Sequence, residues 1–202
     1  MSNTFAPFGF AAAGRMDGAP YSANQTAYLI KYDNTNQMFS GDPVVLLNTG
    51  YIDTLTPGTT PPLGIFNGCS YISSAQGKLV YSPYYPGADQ ITNGIVTAFV
   101  LDDPAQQFYV QTGWAAGTPA AAAQTVVGSN AQYAKGTGST MTGRSGSYID
   151  LNVTPTTTST LPFRILSLVS DPPGANGTDT TTAYNWLKVM WNNEFYRQLT
   201  GI

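Results

Sequence analysis

From Thr26 to Trp191 the chain is a string of short apolar, aromatic and β-branched runs, each cut off within a few residues by glycine, proline, asparagine or aspartate. That punctuation constrains the fold more than any other feature, because runs this short span as strands but not as stable helices. The run Thr26 to Tyr32 ends at Asp33-Asn34, a turn pair, and Gly41-Asp42-Pro43 opens Val44 to Leu47. Leu63 to Phe66 is followed by Asn67-Gly68, which suits a hairpin turn or a bulge, and then by Cys69 to Ile72. Lys78 to Tyr81, Ile95 to Leu101, Gln107 to Gln111, Leu161 to Val169 and Trp186 to Trp191 continue the series. In Tyr148 to Val153 the alternation puts Ile149, Leu151 and Val153 on one face. The expected fold is all-β, a β-barrel or β-sandwich with at most one or two short helices. The one helix candidate is Thr118 to Thr125, with Thr118 as N-cap and Pro119 at the first helical position.

Residues 1–24 read as an extended N-terminal arm ahead of a single β-rich domain over 25–202. The arm carries Phe5, Phe8 and Phe10 without periodicity, among prolines and glycines, and Tyr21 near its end. Three exposed phenylalanines would be a liability on a free molecule. Either they insert into a neighbouring subunit or they pack back onto their own barrel. Low-complexity stretches predict surface loops near 136–147, 154–160 and 171–183.

Composition narrows the function. Only 9% of residues are charged, against about 25% in ordinary soluble domains. A surface of Thr, Gly, Ala, Ser and Asn has few charges to desolvate and little side-chain entropy to lose when it is covered. Such a surface suits a molecule packed against copies of itself or another protein, and it also occurs in secreted β domains. The eight basic residues are scattered with no two adjacent, and the net charge is −3. Nucleic-acid binding needs a concentrated positive face, so none is expected. No window approaches the roughly 20 apolar residues of a membrane span, and the first residues lack the basic and apolar regions of a signal peptide. Synthesis in a host cytoplasm is the expectation.

The chain has no histidine. This removes histidine-based triads and most zinc sites. Cys69 is single and flanked by apolar residues, so it reads as a buried thiol. Asp102-Asp103-Pro104 reads as a turn starter, although adjacent carboxylates can also bind calcium. Nothing in the spacing of the acids points to an enzyme, a metal or a cofactor. Tyr71, Tyr81, Tyr84 and Tyr85 allow three uses: a sugar-stacking platform, a protein interface, or plain packing.

Several motifs, in order along nearly the whole chain, carry a resemblance. They are Ala6-Pro7-Phe8-Gly9-Phe10, Gly18-Ala19-Pro20-Tyr21, Gly41-Asp42-Pro43-Val44, Gly64 to Tyr71, and Ser82-Pro83-Tyr84-Tyr85-Pro86. Asp102-Asp103-Pro104 with Phe108 to Gln111, Gly128 to Ala131, Gly138-Ser139-Thr140, Arg164 to Val169 and Trp186 to Val189 follow. In these the chain resembles a group of tailed-bacteriophage head proteins described as capsid-stabilising or cement proteins. The group often has Tyr-Trp-Pro where this chain has Tyr84-Tyr85-Pro86, and Asn-x-His where it has Asn192-Asn193-Glu194. The resemblance implies a non-enzymatic virion protein on the outer capsid surface, binding the major capsid protein and clustering with its own copies, in trimers or similar groups, at local three-fold positions. Phe5, Phe8, Phe10, Tyr21, Tyr84 and Tyr85 are the candidate interface residues. The alternative is a carbohydrate- or receptor-binding virion protein using the tyrosine loop.

Overall fold

A computed structural model describes residues 2–19, 24–58 and 60–198. The protein is all-β, and its strands form two closed rings with separate but adjoining cores. In the first ring β4 (Pro43–Leu46) pairs antiparallel with β5 (Ile52–Thr54), and β5 pairs parallel with β2 (Thr26–Ile30) through Ile30 and Ile52. β2 pairs antiparallel with β9 (Val96–Leu101), and β9 with β6 (Gly64–Ile72). β6 then returns to β4 through Pro43↔Ile65 and Val44↔Gly64, so the ring is closed. The register of β6 slips between Phe66 and Gly68. This bulge, at the expected Asn67-Gly68, bends the long strand so that it serves both neighbours. β7 (Leu79–Ser82) continues the sheet beyond β6. A two-residue pair, β3 (Met38–Phe39) with β8 (Tyr84–Tyr85), plugs one side.

The second ring uses β10 (Gln106–Gly113), β13 (Tyr148–Asp150), β14 (Phe163–Leu168) and β15 (Trp186–Trp191), with the short strands β11 (Asn130–Ala131) and β12 (Tyr133–Ala134). β11 pairs with β14 while β12 pairs with β13. One stretch, 130–134, therefore closes this ring by bonding to both sides of it. β15 alternates, with Leu187, Val189 and Trp191 buried and the residues between them part-exposed. These pack on Phe108, Val110, Ile149, Phe163 and Ile165. Each such fully buried side chain contributes on the order of 1.5–3 kcal/mol. Ring one buries Ile30, Val44, Ile52, Phe66, Val96, Ala98 and Val100.

Residues 2–19 are extended but do not stand off the molecule. β1 (Ala11–Arg15) pairs antiparallel with β10. Before it, Asn3 donates through Nδ2 to the Asp179 and Ala183 carbonyls at 2.8 and 3.1 Å and accepts from the Gly177 N–H at 2.8 Å. Gln111 accepts from the Ala6 N–H and donates to the Thr4 carbonyl. The segment is a strap over ring two. It also touches ring one, where the Phe10 N–H donates to Gly41 O at 3.0 Å. Gly9 has φ +77°, and a Cβ there would lie 2.8 Å from Gly41 O, so only glycine allows this crossing.

Three further expectations change. No helix spans 118–125; the chain is extended to Ala123 and makes a single 3-10 turn at Gln124–Val126. Asn185 has taken the backbone of Ala122, accepting from its N–H at 3.0 Å and donating to its carbonyl at 3.1 Å. Two turns of helix cannot compete with that. The strand at 148 stops at Asp150, whose carboxylate accepts from the Asn152 and Ala115 N–H groups and turns the chain, leaving Val153 in solvent. The 136–147 stretch is a surface loop only as far as Arg144, because Ser145, Gly146 and Ser147 are buried. A Cβ on Gly136 would meet Gly146 O at 2.0 Å, so the two limbs of this loop lie flat on each other. The 154–160 stretch is exposed apart from a half-buried Pro155, and 171–183 is exposed at Asp171–Asn176.

The rings are joined by buried polar contacts. The Asp42 carboxylate accepts from Ser145 Oγ at 2.5 Å, Ser147 Oγ at 2.8 Å and the Phe39 N–H at 2.9 Å. The Tyr133 hydroxyl donates to the Leu55 carbonyl at 2.7 Å, and the Phe195 N–H to the Pro62 carbonyl at 2.9 Å. Buried polar groups satisfied this way hold one arrangement, because breaking any of them strands a partner away from water.

Candidate interaction surface

The reactive side chains are tied into local structure. The Cys69 thiol is buried and burial pushes its pKa up to about 12, so it is held in the unreactive thiol form. Asp103 accepts from the Ala105 N–H at 2.9 Å and pairs with Arg15, forming the turn between β9 and β10. Asp102 accepts from Thr26 Oγ1 at 2.9 Å and from the Tyr28 hydroxyl at 2.7 Å. Glu194 is the most perturbed acid. Burial raises its pKa to about 7, against the opposing pull of the Tyr196 N–H and the Arg197 charge. One of its oxygens accepts from that N–H at 2.9 Å and the other has no partner. It caps the 3-10 turn Phe195–Arg197. Among the described residues no three Asp, Glu, Cys or His side chains gather where a metal ion could sit.

The six residues expected at an interface scatter. Phe10 is 2% exposed; its ring stacks on Phe163 at 4.2 Å and meets Phe108 and Tyr133 edge-on. Tyr85 is fully buried in ring one and donates to the Asn34 carbonyl at 2.8 Å. These two are core residues, correcting the expectation, because the strap and β8 turn their rings inward. Phe8 is half-buried against Trp186, and Tyr84 is half-buried with its face stacked on Phe39. Phe5 is 44% exposed on the rim beside Tyr148 and Tyr184. Tyr21 lies outside the described residues.

A different surface stands bare. Leu29 is opposite Thr97, Thr97 opposite Ser70, and Ser70 opposite Tyr81, so these four form one row across β2, β9, β6 and β7. Directly opposed residues share a face of the sheet. Ile72 and Leu79 form the neighbouring pair on that face, and Ile95 stands one alternation before Thr97. Tyr81 is 72% exposed, Leu79 56% and Ile95 74%, with Leu29 and Ile72 also in solvent. Five large apolar side chains thus share the outer wall of ring one. Among the described residues β7 has no neighbour on its far side, so the wall ends in a free edge. The signal for this surface lay in strands with apolar residues at both alternating positions, as in Leu79-Val80-Tyr81.

At the Leu29 end the wall runs into a cleft of about 290 Å³ lined by Leu29, Tyr32, Tyr51 and Ile95, with Asn93 at its lip. A second cleft across Tyr51 contains Lys31, Asp33 and Asp53. The geometry is that of an all-β protein with one apolar wall left uncovered by the described residues. Comparison with known protein families, curated proteins and solved structures found no match for this chain.

Proposed function

We propose that this chain is a virion structural protein, a decoration or cement protein on the outer surface of a tailed-phage head that binds the major capsid protein and stabilises the shell without catalysing a reaction. The observation that carries this reading is the bare wall of ring one on a chain with only 9% charged residues. Covering its five apolar side chains would contribute on the order of 5 kcal/mol or more, which must exceed the cost of association. A full interface of about 1,600 Å² needs further contacts around that wall, and several such contacts per cluster multiply into avidity. The motif resemblance supports the placement on the capsid, and the scattered cations favour a site away from the genome. Use of Tyr84 and Tyr85 as a sugar platform lacks two open ring faces, since one ring is buried and the other is stacked on Phe39.

The test is co-sedimentation with undecorated capsids. The wild-type protein should pellet with the shells. A triple variant, Ile72→Thr, Leu79→Thr and Tyr81→Thr, should bind at least ~10-fold more weakly. Wild-type protein left in the supernatant would sink the reading. Removing the strap is the wrong experiment, because it takes Phe10 out of the core.

A further inference from the structure

The rings are also joined where the chain leaves its last strand. The Asn193 N–H donates to Pro162 O beside β14, and the Phe195 N–H donates to Pro62 O ahead of β6. Phe195 packs against the core of ring one, and the Tyr196 hydroxyl lies 2.5 Å from the Tyr28 hydroxyl on β2. Arg197 donates to the Trp191 carbonyl at 3.0 Å and to the Pro104 carbonyl at 2.6 Å. Residues 194–197 thus clasp the end of β15 in ring two onto β2 and the approach to β6 in ring one.

At the centre of this clasp sits a carboxyl group without an ion pair. Glu194 is 0% exposed. One of its oxygens accepts from the Tyr196 N–H and the other is unpartnered. Arg197 attracts it but forms no ion pair with it among the described residues, because the guanidinium is turned to the two carbonyls. From the β9–β10 turn it faces Asp102, a like charge whose partners are the Thr26 and Tyr28 hydroxyls. Beyond Asp102, Asp103 is paired with Arg15, and on β14 Arg164 is bonded to Asn130 and Asn192. The 60–63 approach to β6 carries no ionisable side chain. A buried carboxyl in such surroundings is tolerated as the neutral acid and costly as the anion.

We propose that residues 194–197 are a pH-operated clasp between the rings, closed while Glu194 carries its proton and released when it ionises. The anion gains water by swinging the turn outward, which breaks the Phe195–Pro62 and Tyr28–Tyr196 contacts. The contacts of Asp42, Tyr133 and Phe10 then hold the rings together. The closed turn binds the proton more tightly than an open one, since burial lifts the Glu194 pKa from 4.5 to about 7. Opening is therefore rarest below pH 4.5, grows as pH rises and levels off above about 7. The device acts within one molecule and does not rest on the capsid reading.

The experiment is amide hydrogen exchange of the full chain, followed residue by residue from about pH 5 to about pH 8 and corrected for the intrinsic pH dependence of exchange. The reporters are the N–H groups of Tyr196, Arg197 and Gln198, which donate to Glu194 Oε1, Glu194 O and Phe195 O. Their protection should fall at least ~10-fold across this range, and at every pH it should be lower than that of Val189 within β15. In Glu194→Gln it should stay level. At about pH 8, trypsin should cut the wild type after Arg197 at least ~10-fold faster than Glu194→Gln, ahead of any cut at Arg164 or Lys188. Should the variant not fold, the wild-type exchange profile alone decides. Wild-type protection that does not change with pH overturns the clasp. So does a fall that Glu194→Gln reproduces, equal cleavage of the two proteins, or reporters that exchange only as slowly as Val189, which would make the opening global.

Discussion

The two rings are built alike and finished differently. In ring two, β10 is buried on both faces except at Tyr109: Phe108 and Val110 face the core, and Gln111 on the other side is sealed under the strap by its bonds to Thr4, Ala6 and Tyr184. In ring one the equivalent outer wall carries Leu29, Ile72, Leu79, Tyr81 and Ile95 with nothing described over them. Ring two covers part of its wall with its own chain and sets Gln106 and Gln111 under it, where they bond to the strap's backbone at Gly14, Thr4 and Ala6. Ring one has apolar side chains that stay in solvent among the described residues. The difference separates a stabilising surface from an adhesive one: the first loses stability when altered, and the second loses only binding.

Probes for each ring are already in place. All three tryptophans, Trp114, Trp186 and Trp191, belong to ring two, and Cys69 is in ring one. The largest effect should come from Phe10→Ala, which opens a cavity against Phe163 and should cost about 3–5 kcal/mol by urea unfolding. If the rings are separable, tryptophan emission will change before the Cys69 thiol becomes reactive; simultaneous change would make them one cooperative unit. Next is the pH dependence set by Glu194. Its folded pKa of about 7 lies above the ordinary value of 4.5, so the native state holds the proton more tightly. Stability should be greatest below pH 4.5, fall as pH rises to 7 and level off above it. The fall should be about 3 kcal/mol at most. Urea midpoints at several pH values will measure it, and Glu194→Gln should flatten the profile. Tyr133→Phe removes the hydroxyl between the rings and leaves the Leu55 carbonyl unpaired, with an expected loss of about 1–2 kcal/mol. The smallest effect on stability belongs to Ile72→Thr, Leu79→Thr and Tyr81→Thr together, about 1 kcal/mol in thermal unfolding. A large loss there would show the wall to be structural and erase the contrast with ring two.

Much of this was legible in the sequence. The bulge at Asn67-Gly68 and the turn at Asp102-Asp103 are local patterns, and local geometry decides them. The closure of two rings was not legible, because it depends on contacts such as Ile30 with Ile52 and Val44 with Gly64, between strands that give no sign of their partners. Phe10 and Tyr85 were placed outside because short aromatic segments carry no period from which to read an inner and an outer face. The bare wall was missed for a related reason. A strand apolar on both faces reads equally well as deeply buried, and only the tertiary arrangement reveals that one face is left open.

The strap also imposes an order in time. Asn3 bonds to the Asp179 carbonyl across 176 residues of chain, and Phe10 stacks on Phe163. Ring one has every strand it needs once Leu101 has been synthesised, whereas the strap must wait for β15. A nascent chain stalled once Leu101 has emerged from the ribosome should already shield Cys69, while Phe5, Phe8 and Phe10 remain accessible to chaperones. Assembly then proceeds from the middle of the chain outward, with the earliest residues docking last.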